Sequence, residues 1–368
     1  AIRSVAFHSN GNSYYSDMSY NVINKKDGYG IQTIFAGTGA IGNGGDGGSA
    51  TAATFNNPSG IAFDSNDNLY IADYSAHVIR KVGTNGIVST FAGTGTAGFS
   101  GDGGAATSAK LNSPYDVAFD SNGNLYIADE NNYCIRKVDT NGNISTFAGT
   151  CTTRGYSGDG AAATSAELDK PSNIIFDSND NLFIADWNAH VVRKVDTNGN
   201  ISTFAGTGTS GFSGDGAAAT SAKLKYPWGV AVDTSGNVYI NDYSNYRIRK
   251  VDTNGKISTF AGNGSISNTG DNGNATSAGI KYSEDIFYRN NSLYIPADNS
   301  LRKIANVNGL LQGYSQDTLV VSKTDAVCST GWGNAWQSVT TSESGTLSSI
   351  IVKLINWAPS GKTATDFN

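Results

Sequence analysis

Ile201 to Gly255 reads ISTFAGTGTSGFSGDGAAATSAKLKYPWGVAVDTSGNVYINDYSNYRIRKVDTNG, and variants of this stretch fill most of the 368-residue chain. The phenylalanine of its FAG triplet returns at Phe35, Phe91, Phe147, Phe204 and Phe260, in steps of 56, 56, 57 and 56 residues. The aspartate that closes its apolar run, Asp242 here, also stands at Asp17, Asp73, Asp129, Asp186 and Asp298. A period of this size marks a chain built by stacking one supersecondary unit. Six units are present. The first opens with SVAFHSNGNSYYSD, from Ser4 to Asp17, and the last, Asp285 to Tyr314, is worn.

Each unit predicts four short strands, in the second copy Gly60 to Asp64, Leu69 to Asp73, Val78 to Val82 and Val88 to Ala92. Asn/Asp/Gly clusters such as DSNDN and GTNG separate them, the residues that antiparallel hairpin turns require. Runs such as NLYIAD are apolar on both faces, so each sheet must be covered on both sides. A radial stack of four-stranded blades does this, and the expected fold is an all-β six-bladed propeller. The run from Pro58 to Val82, repeated from Pro114 to Val138, Pro171 to Val195 and Pro227 to Val251, resembles the NHL repeat over about residues 1–314. That resemblance implies the propeller fold. It leaves function open, because NHL-like propellers include extracellular modules, RNA-binding domains and a lyase.

Between blades lies a long connection, from Phe91 to Pro114 in one copy, with a Gly-rich half and a stretch, AATSAKL, suited to one helical turn. Such connections are expected to build one face of the propeller, together with the links between second and third strands. Past Tyr314 the pattern stops. Residues 315–368 carry strand-like runs (DTLVVSK, TLSSIIVKLINWA) and are expected to form a β-rich, sandwich-like domain that the polypeptide completes further on. Ala1 in place of an initiator Met suggests a processed or truncated start.

Composition narrows the function classes. There are 25 Lys+Arg against 31 Asp+Glu, a net charge of −6, which argues against nucleic acid as a partner. No apolar run approaches the roughly 18 residues that span a bilayer, so membrane insertion is not expected. The Arg-Lys pairs (Arg80-Lys81, Arg136-Lys137, Arg193-Lys194, Arg249-Lys250, Arg302-Lys303) recur in register with the Asp73 series and read as pairing within the propeller. The DSNDN and DTNGN tips lack the bidentate glutamate of a calcium loop and read as turns, so no cofactor is expected. Asp46, Asp102, Asp159, Asp215 and Asp271, in GDG or GDN, read as loop-shaping Asx turns. His77 and His190 share a repeat column with Tyr133 and Tyr246 and read as packing; His8 is off-pattern. A lyase of the NHL-like kind needs a histidine-based metal centre that these residues do not reproduce. Lactonase-like propellers use acidic and amide residues around the axis, for which Asp116, Asn173 and Asp285 are the candidates in this chain.

Cys134 and Cys151 flank the Asn141-Gly142 turn symmetrically, which predicts a cross-strand disulfide and an oxidising compartment; Cys328 has no evident partner in this chain. Acceptor triplets at Asn143, Asn200, Asn263, Asn274 and Asn290 fall in expected turns, consistent with a secreted glycoprotein. The positions that vary inside the repeat are where specificity belongs. They are Met18, Tyr74, Glu130, Trp187, Tyr243 and Asn299 after the closing aspartate, and Arg3, Ser59, Tyr115, Ser172, Trp228 and Glu284 at the mouth of each first strand. Tyr74, Glu130, Trp187, Tyr243, Tyr115, Trp228 and Glu284 are the candidate ligand-binding face, with Phe99, Tyr156 and Phe212 nearby. The expected function is a non-catalytic extracellular recognition, adhesion or assembly module, such as a subunit of a surface structure or filament, binding protein or glycan. The alternative is a secreted lactonase-like hydrolase or lyase acting at the axial mouth.

Overall fold

The computed structural model describes residues 2–305, apart from 272, 282, 298 and 299. The chain divides into the units Ala1–Val321 and Ser322–Asn368, and every described residue belongs to the first. The expected 315–368 domain, Cys328 and the end of the sixth repeat, with Asp298 and Asn299, lie outside the described residues. No helix among those described is long and apolar enough to cross a membrane.

The chain forms a six-bladed β-propeller of antiparallel meanders. Five sheets have four strands in sequence order, and the sixth is described through three, Phe287–Arg289, Ser292–Ala297 and Ser300–Ala305. The second blade is Pro58–Phe63, Leu69–Asp73, Val78–Val82 and Val88–Ala92. Its first strand starts two residues before the expected Gly60 and ends before Asp64. The reason is local: Asp64 Oδ1 accepts the backbone N–H of Asn66 at 2.9 Å and of Asn68 at 2.8 Å, which makes Asp64 the first residue of the turn.

Apolar residues on both faces of each sheet pack on the two neighbouring blades. Tyr70, Ala72 and Ile79 of blade 2 meet Val117, Leu125 and Ile127 of blade 3, with Ala106, Ala109 and Leu111 of the connection between them. Burying each large aliphatic side chain is worth about 1.5–3 kcal/mol. The ring closes where Ile2, Val5 and Tyr15 of blade 1 pack on Leu301, with Phe287 and Tyr294 against them.

The long connections do not form a face, as expected from sequence, but fold back along the outer edge of the next blade. Gly103 N–H donates to Ile144 O at 2.8 Å, Ile144 N–H returns to Gly104 O at 2.9 Å, and Ala106 N–H donates to Gly142 O at 2.9 Å. The outer strand Ile144–Ala148 has unpaired main-chain groups on its free side, and the connection satisfies them, blunting the edge. Gly101 permits the tight fold: its φ is 97°, and an added Cβ would lie 2.7 Å from Ala109 Cα. The expected helical turn is present as a short 3-10 segment, Ala106–Ser108.

An arginine holds each connection in place. Arg80, Arg136, Arg193 and Arg249 are fully buried. Arg193 Nη2 contacts Asp159 Oδ1 at 2.6 Å and the Ser157 carbonyl at 3.1 Å, and its Nη1 reaches the Glu167 carbonyl at 3.3 Å. Pairs Arg80–Asp46, Arg136–Asp102, Arg249–Asp215 and Arg302–Asp271 repeat the arrangement. The cationic pairs therefore act within the propeller, as expected, but their main partner is the GDG aspartate. Those aspartates are ion-pair partners and strand-edge acceptors rather than Asx turns: Asp102 Oδ2 also takes Thr146 N–H at 3.1 Å. The aspartates of the Asp73 series stand further off, with Asp129 and Asp242 at 3.6 and 3.4 Å from the nearest guanidinium nitrogen. Burial pushes the carboxyl of Asp73 up to about 8 and that of Asp129 up to about 7. Phe99, Tyr156 and Phe212 lie over Arg136, Arg193 and Arg249 at 4.7, 5.1 and 4.8 Å, so these aromatics cover the clamp.

Replacing Arg193 by Met should lower the unfolding free energy by about 3 kcal/mol, because it strands two carbonyls and a carboxylate. Replacing the adjacent Lys194 should cost under about 1 kcal/mol. Equilibrium denaturation in guanidinium chloride measures both.

Candidate functional site

At one end of the axis the repeat-variable positions come together. In blades 2 to 5 the second strand ends at a buried aspartate whose Oδ1 takes a backbone N–H from the incoming connection, as Asn56 N–H donates to Asp73 at 2.7 Å. A 3-10 turn follows, Tyr74–Ala76 in blade 2 and Glu130–Asn132 in blade 3, and closes on a left-handed residue, His77 or Tyr133. This brings the residue after the aspartate beside the second residue of a first strand. Tyr74 lies 5.8 Å from Tyr115, Tyr115 5.6 Å from Trp228, and Trp228 5.0 Å from Trp187 and 5.3 Å from Tyr243 (ring centroids).

The cluster is continuous and only partly solvent-facing. Tyr115 and Glu130 are buried, while Tyr74, Trp187, Trp228, Tyr243 and Glu284 are half-buried. Charge sits among the rings. Lys170, which sequence reading passed over, contacts Glu130 at 3.4 Å and lies 5.8 Å from the Trp187 ring. Burial holds the Glu130 carboxyl above its ordinary value, against the opposing effect of Lys170. Arg3 pairs with Glu284, which also accepts the Tyr115 hydroxyl at 3.0 Å. Arg3 Nε contacts Met18 Sδ at 2.8 Å. Ser59 and Ser172 are turned inward, donating to the Tyr115 and Trp228 carbonyls at 2.6 and 2.9 Å. Six of the seven candidate residues thus join one aromatic and charged cluster through ring contacts and the Tyr115–Glu284 bond, and Glu130 borders it through Lys170.

Beneath the cluster Asp116, Asn173 and Asp285 meet at the axis. Asn173 Nδ2 donates to Asp116 Oδ2 at 2.8 Å and to Asp285 Oδ1 at 3.3 Å. Below them a cavity of about 360 Å³ runs down the axis between the first strands. Its walls are apolar (Val5, Ile61, Val117, Ile174, Val230, Ile286), and Phe7, Phe63, Phe119, Phe176 and Phe287 surround it towards the hairpin tips. Among the described residues no cluster of three or more His, Cys, Asp or Glu side chains is grouped to hold a metal ion.

The histidines have a bonding role beyond packing. His77 Nδ1 accepts Ser113 N–H at 3.0 Å, and His190 Nδ1 accepts Tyr226 N–H at 3.2 Å. Both donors lie in the next connection. In blade 1 the same column holds Asn21, whose Oδ1 accepts Asn57 N–H at 3.0 Å. That Asn/His column was the available signal, since both side chains offer a neutral acceptor from a left-handed backbone. Cys134 and Cys151 form a disulfide with Cα atoms 5.0 Å apart. The five acceptor asparagines, Asn143, Asn200, Asn263, Asn274 and Asn290, are all exposed.

Burial lowers the His77 and His190 pKa values below 6.5. The unfolded chain therefore binds more protons as acidity rises: this part of the stability is complete above about pH 6.5 and is lost as pH falls towards the lowered values. The double variant His77→Asn/His190→Asn should flatten that acid-side slope while keeping the latch, as Asn21 does. Thermal unfolding of both proteins from about pH 5 to about pH 8 measures the difference, in which the opposite slope of the raised aspartates cancels.

The Teneurin NHL domain family model matches residues 21–100, 95–157 and 207–306, more than half of the chain. Mouse (Mus musculus) Teneurin-1 is 32% identical over 234 residues, covering 57% of this chain and 8% of the teneurin. The chain thus spans a small part of that relative's length. Among solved structures, virginiamycin B lyase from Staphylococcus aureus aligns with a TM-score of 0.51 at 13% identity, covering 86% of this chain and 85% of that one. A chain of the nidogen/laminin complex aligns with a TM-score of 0.53 at 15% identity, covering 81% and 90%. At such identities these two likenesses establish fold alone. The chain belongs to the Teneurin NHL domain family.

Proposed function

We propose that this propeller is a non-catalytic recognition module of an extracellular protein, binding protein or glycan through the aromatic cluster around the axis. One observation carries the reading. The constant positions of the repeat are engaged in holding the blades and connections, whereas the variable ones converge on a single patch of tyrosine, tryptophan and carboxylate. Half-buried aromatics with a charged rim are the chemistry of contact hot spots, because they add large area at little entropic cost. Family membership supports the reading. The Cys134–Cys151 disulfide and the exposed acceptor asparagines fit an oxidising, secretory route. Self-assembly through the same face is the form the interaction takes if the partner is a second copy.

The test is binding of fluorescently labelled protein to glycan microarrays and to cell surfaces, the latter by flow cytometry. Tyr243→Ser and Trp187→Ala should each weaken binding about tenfold or more, with the unfolding midpoint little changed for Tyr243→Ser. Asn122→Ser, at a hairpin tip on the opposite end, should leave binding intact. Loss on Asn122→Ser with retention in both aromatic variants would contradict the assignment of the face.

A further inference from the structure

The third residue of the first strand in blades 1 to 5, Ser4, Gly60, Asp116, Asn173 and Gly229, and the matching repeat position ahead of the sixth blade's first strand, Asp285, lie at the axis. At four of these positions the side chain offers an acceptor to the next blade, Asp285 taking Val5 N–H across the ring closure. Ser4 Oγ accepts Ile61 N–H at 3.4 Å, Asp116 Oδ2 accepts Ile174 N–H at 3.0 Å, and Asn173 Oδ1 accepts Val230 N–H at 2.8 Å. A hydroxyl or an amide does this without charge. At Gly229 no side chain is present, and an added Cβ would lie 3.0 Å from Asp285 Cα. The blade-to-blade stitch therefore does not require carboxylates, yet two of the six positions carry them.

Those two are costly. Asp116 and Asp285 are 5% and 7% exposed, and Asn173 Nδ2 donates to both. The bonds from Asn173 and Ile174 to Asp116 both go to Oδ2, and Oδ1 lies in the space a side chain at Gly60 would take. Burial first, and then the charge of Asp285, hold the Asp116 carboxyl well above the ordinary carboxylate range. Burial raises Asp285 as well, against hydrogen bonds from the Ser4 side chain and the Ile286 and Val5 backbones. The charged groups facing the pair are Arg3 and Glu284, which are paired with each other, and Tyr115 binds Glu284. No cation of the cavity lining neutralises the pair. Beneath it lies the apolar, phenylalanine-ringed cavity of about 360 Å³, the size of a small-molecule site.

We propose that the axial well binds a small amphiphilic ammonium ion, its apolar body among the phenylalanines and its amine between Asp116 and Asp285. The ammonium supplies the positive charge that the buried pair lacks, and the cavity supplies the apolar contact. This site lies directly beneath the recognition face, Asp116 and Asp285 following Tyr115 and Glu284 in the chain, and extends from there towards the hairpin tips. Because the pair holds protons that the ammonium must displace, binding strengthens as pH rises and releases protons.

The probes are phenethylamine and its neutral counterpart 2-phenylethanol, titrated calorimetrically into the full chain at about pH 8 and about pH 5 in buffers of different ionisation enthalpy. The amine should bind at least about tenfold more tightly than the alcohol at the higher pH, release protons, and weaken about tenfold at the lower pH. Asp116→Asn and Asp285→Asn should each weaken the amine about tenfold or more. Asn173 shows that an amide satisfies the same backbone donor, and an unchanged unfolding midpoint verifies that each variant is folded. Equal affinity for amine and alcohol overturns the proposal, as does the absence of saturable amine binding at about pH 8. Unchanged amine affinity in both folded variants overturns it too.

Discussion

A guanidinium group buried in every blade but the first sets the terms for the rest of the molecule. A charge of that kind is stable inside a protein only if it is paired and its donors are satisfied. The pairing carboxylate sits in the GDG turn of the preceding connection, and two further acceptors are carbonyls of the same connection. The long Gly-rich segment must therefore leave the face where it begins, run along the outer edge of the next blade and return. One ion pair thus positions the connection, protects the outer strand and leaves the axial end clear. Blade 1 lacks this clamp. Asn24 stands where the other blades have arginine, and in its outer strand Gln32, Thr33 and Ile34 are exposed.

The same logic separates what the repeat keeps from what it changes. The closing aspartate, the arginine, the GDG carboxylate and the left-handed latch residue each satisfy main-chain groups or one another. The aromatic positions between them make no such repeated bonds, and the turn after the closing aspartate and the start of the first strand deliver them to the axis. There, Tyr74, Tyr115, Trp187, Trp228 and Tyr243 meet although each comes from a repeat unit in which its neighbours are nearly identical. A scaffold of constant bonds and a patch of varied side chains is the division expected of a recognition surface.

Much of this was legible in the sequence. The 56-residue period and the Asn/Gly turns specified blade number, strand order and hairpin turns, because those depend on local chemistry and on residues close in the chain. The Cys134–Cys151 pairing followed from symmetry about one turn. The path of the connections was not legible. It depends on bonds between residues 34 positions apart, such as Asp102 with Arg136, and the nearer Asp129 was the more obvious partner. The bonding role of His77 was hidden for a similar reason: its donor, Ser113, lies 36 residues ahead. The aromatic cluster was anticipated as a set of residues, but the burial of Tyr115 and Glu130 and the involvement of Lys170 needed the three-dimensional arrangement.

On the proposed reading the aromatic cluster is kept for contact rather than for packing. A scan of all single substitutions on a displayed form of the protein, read by resistance to proteolysis, separates the two directly. Polar replacements at Tyr74, Trp187 and Tyr243 should leave the protein folded, whereas those at Arg80, Arg136, Arg193, Arg249 and their aspartate partners should not. If the aromatic positions are as intolerant as the arginines, the cluster is part of the core and the recognition reading fails.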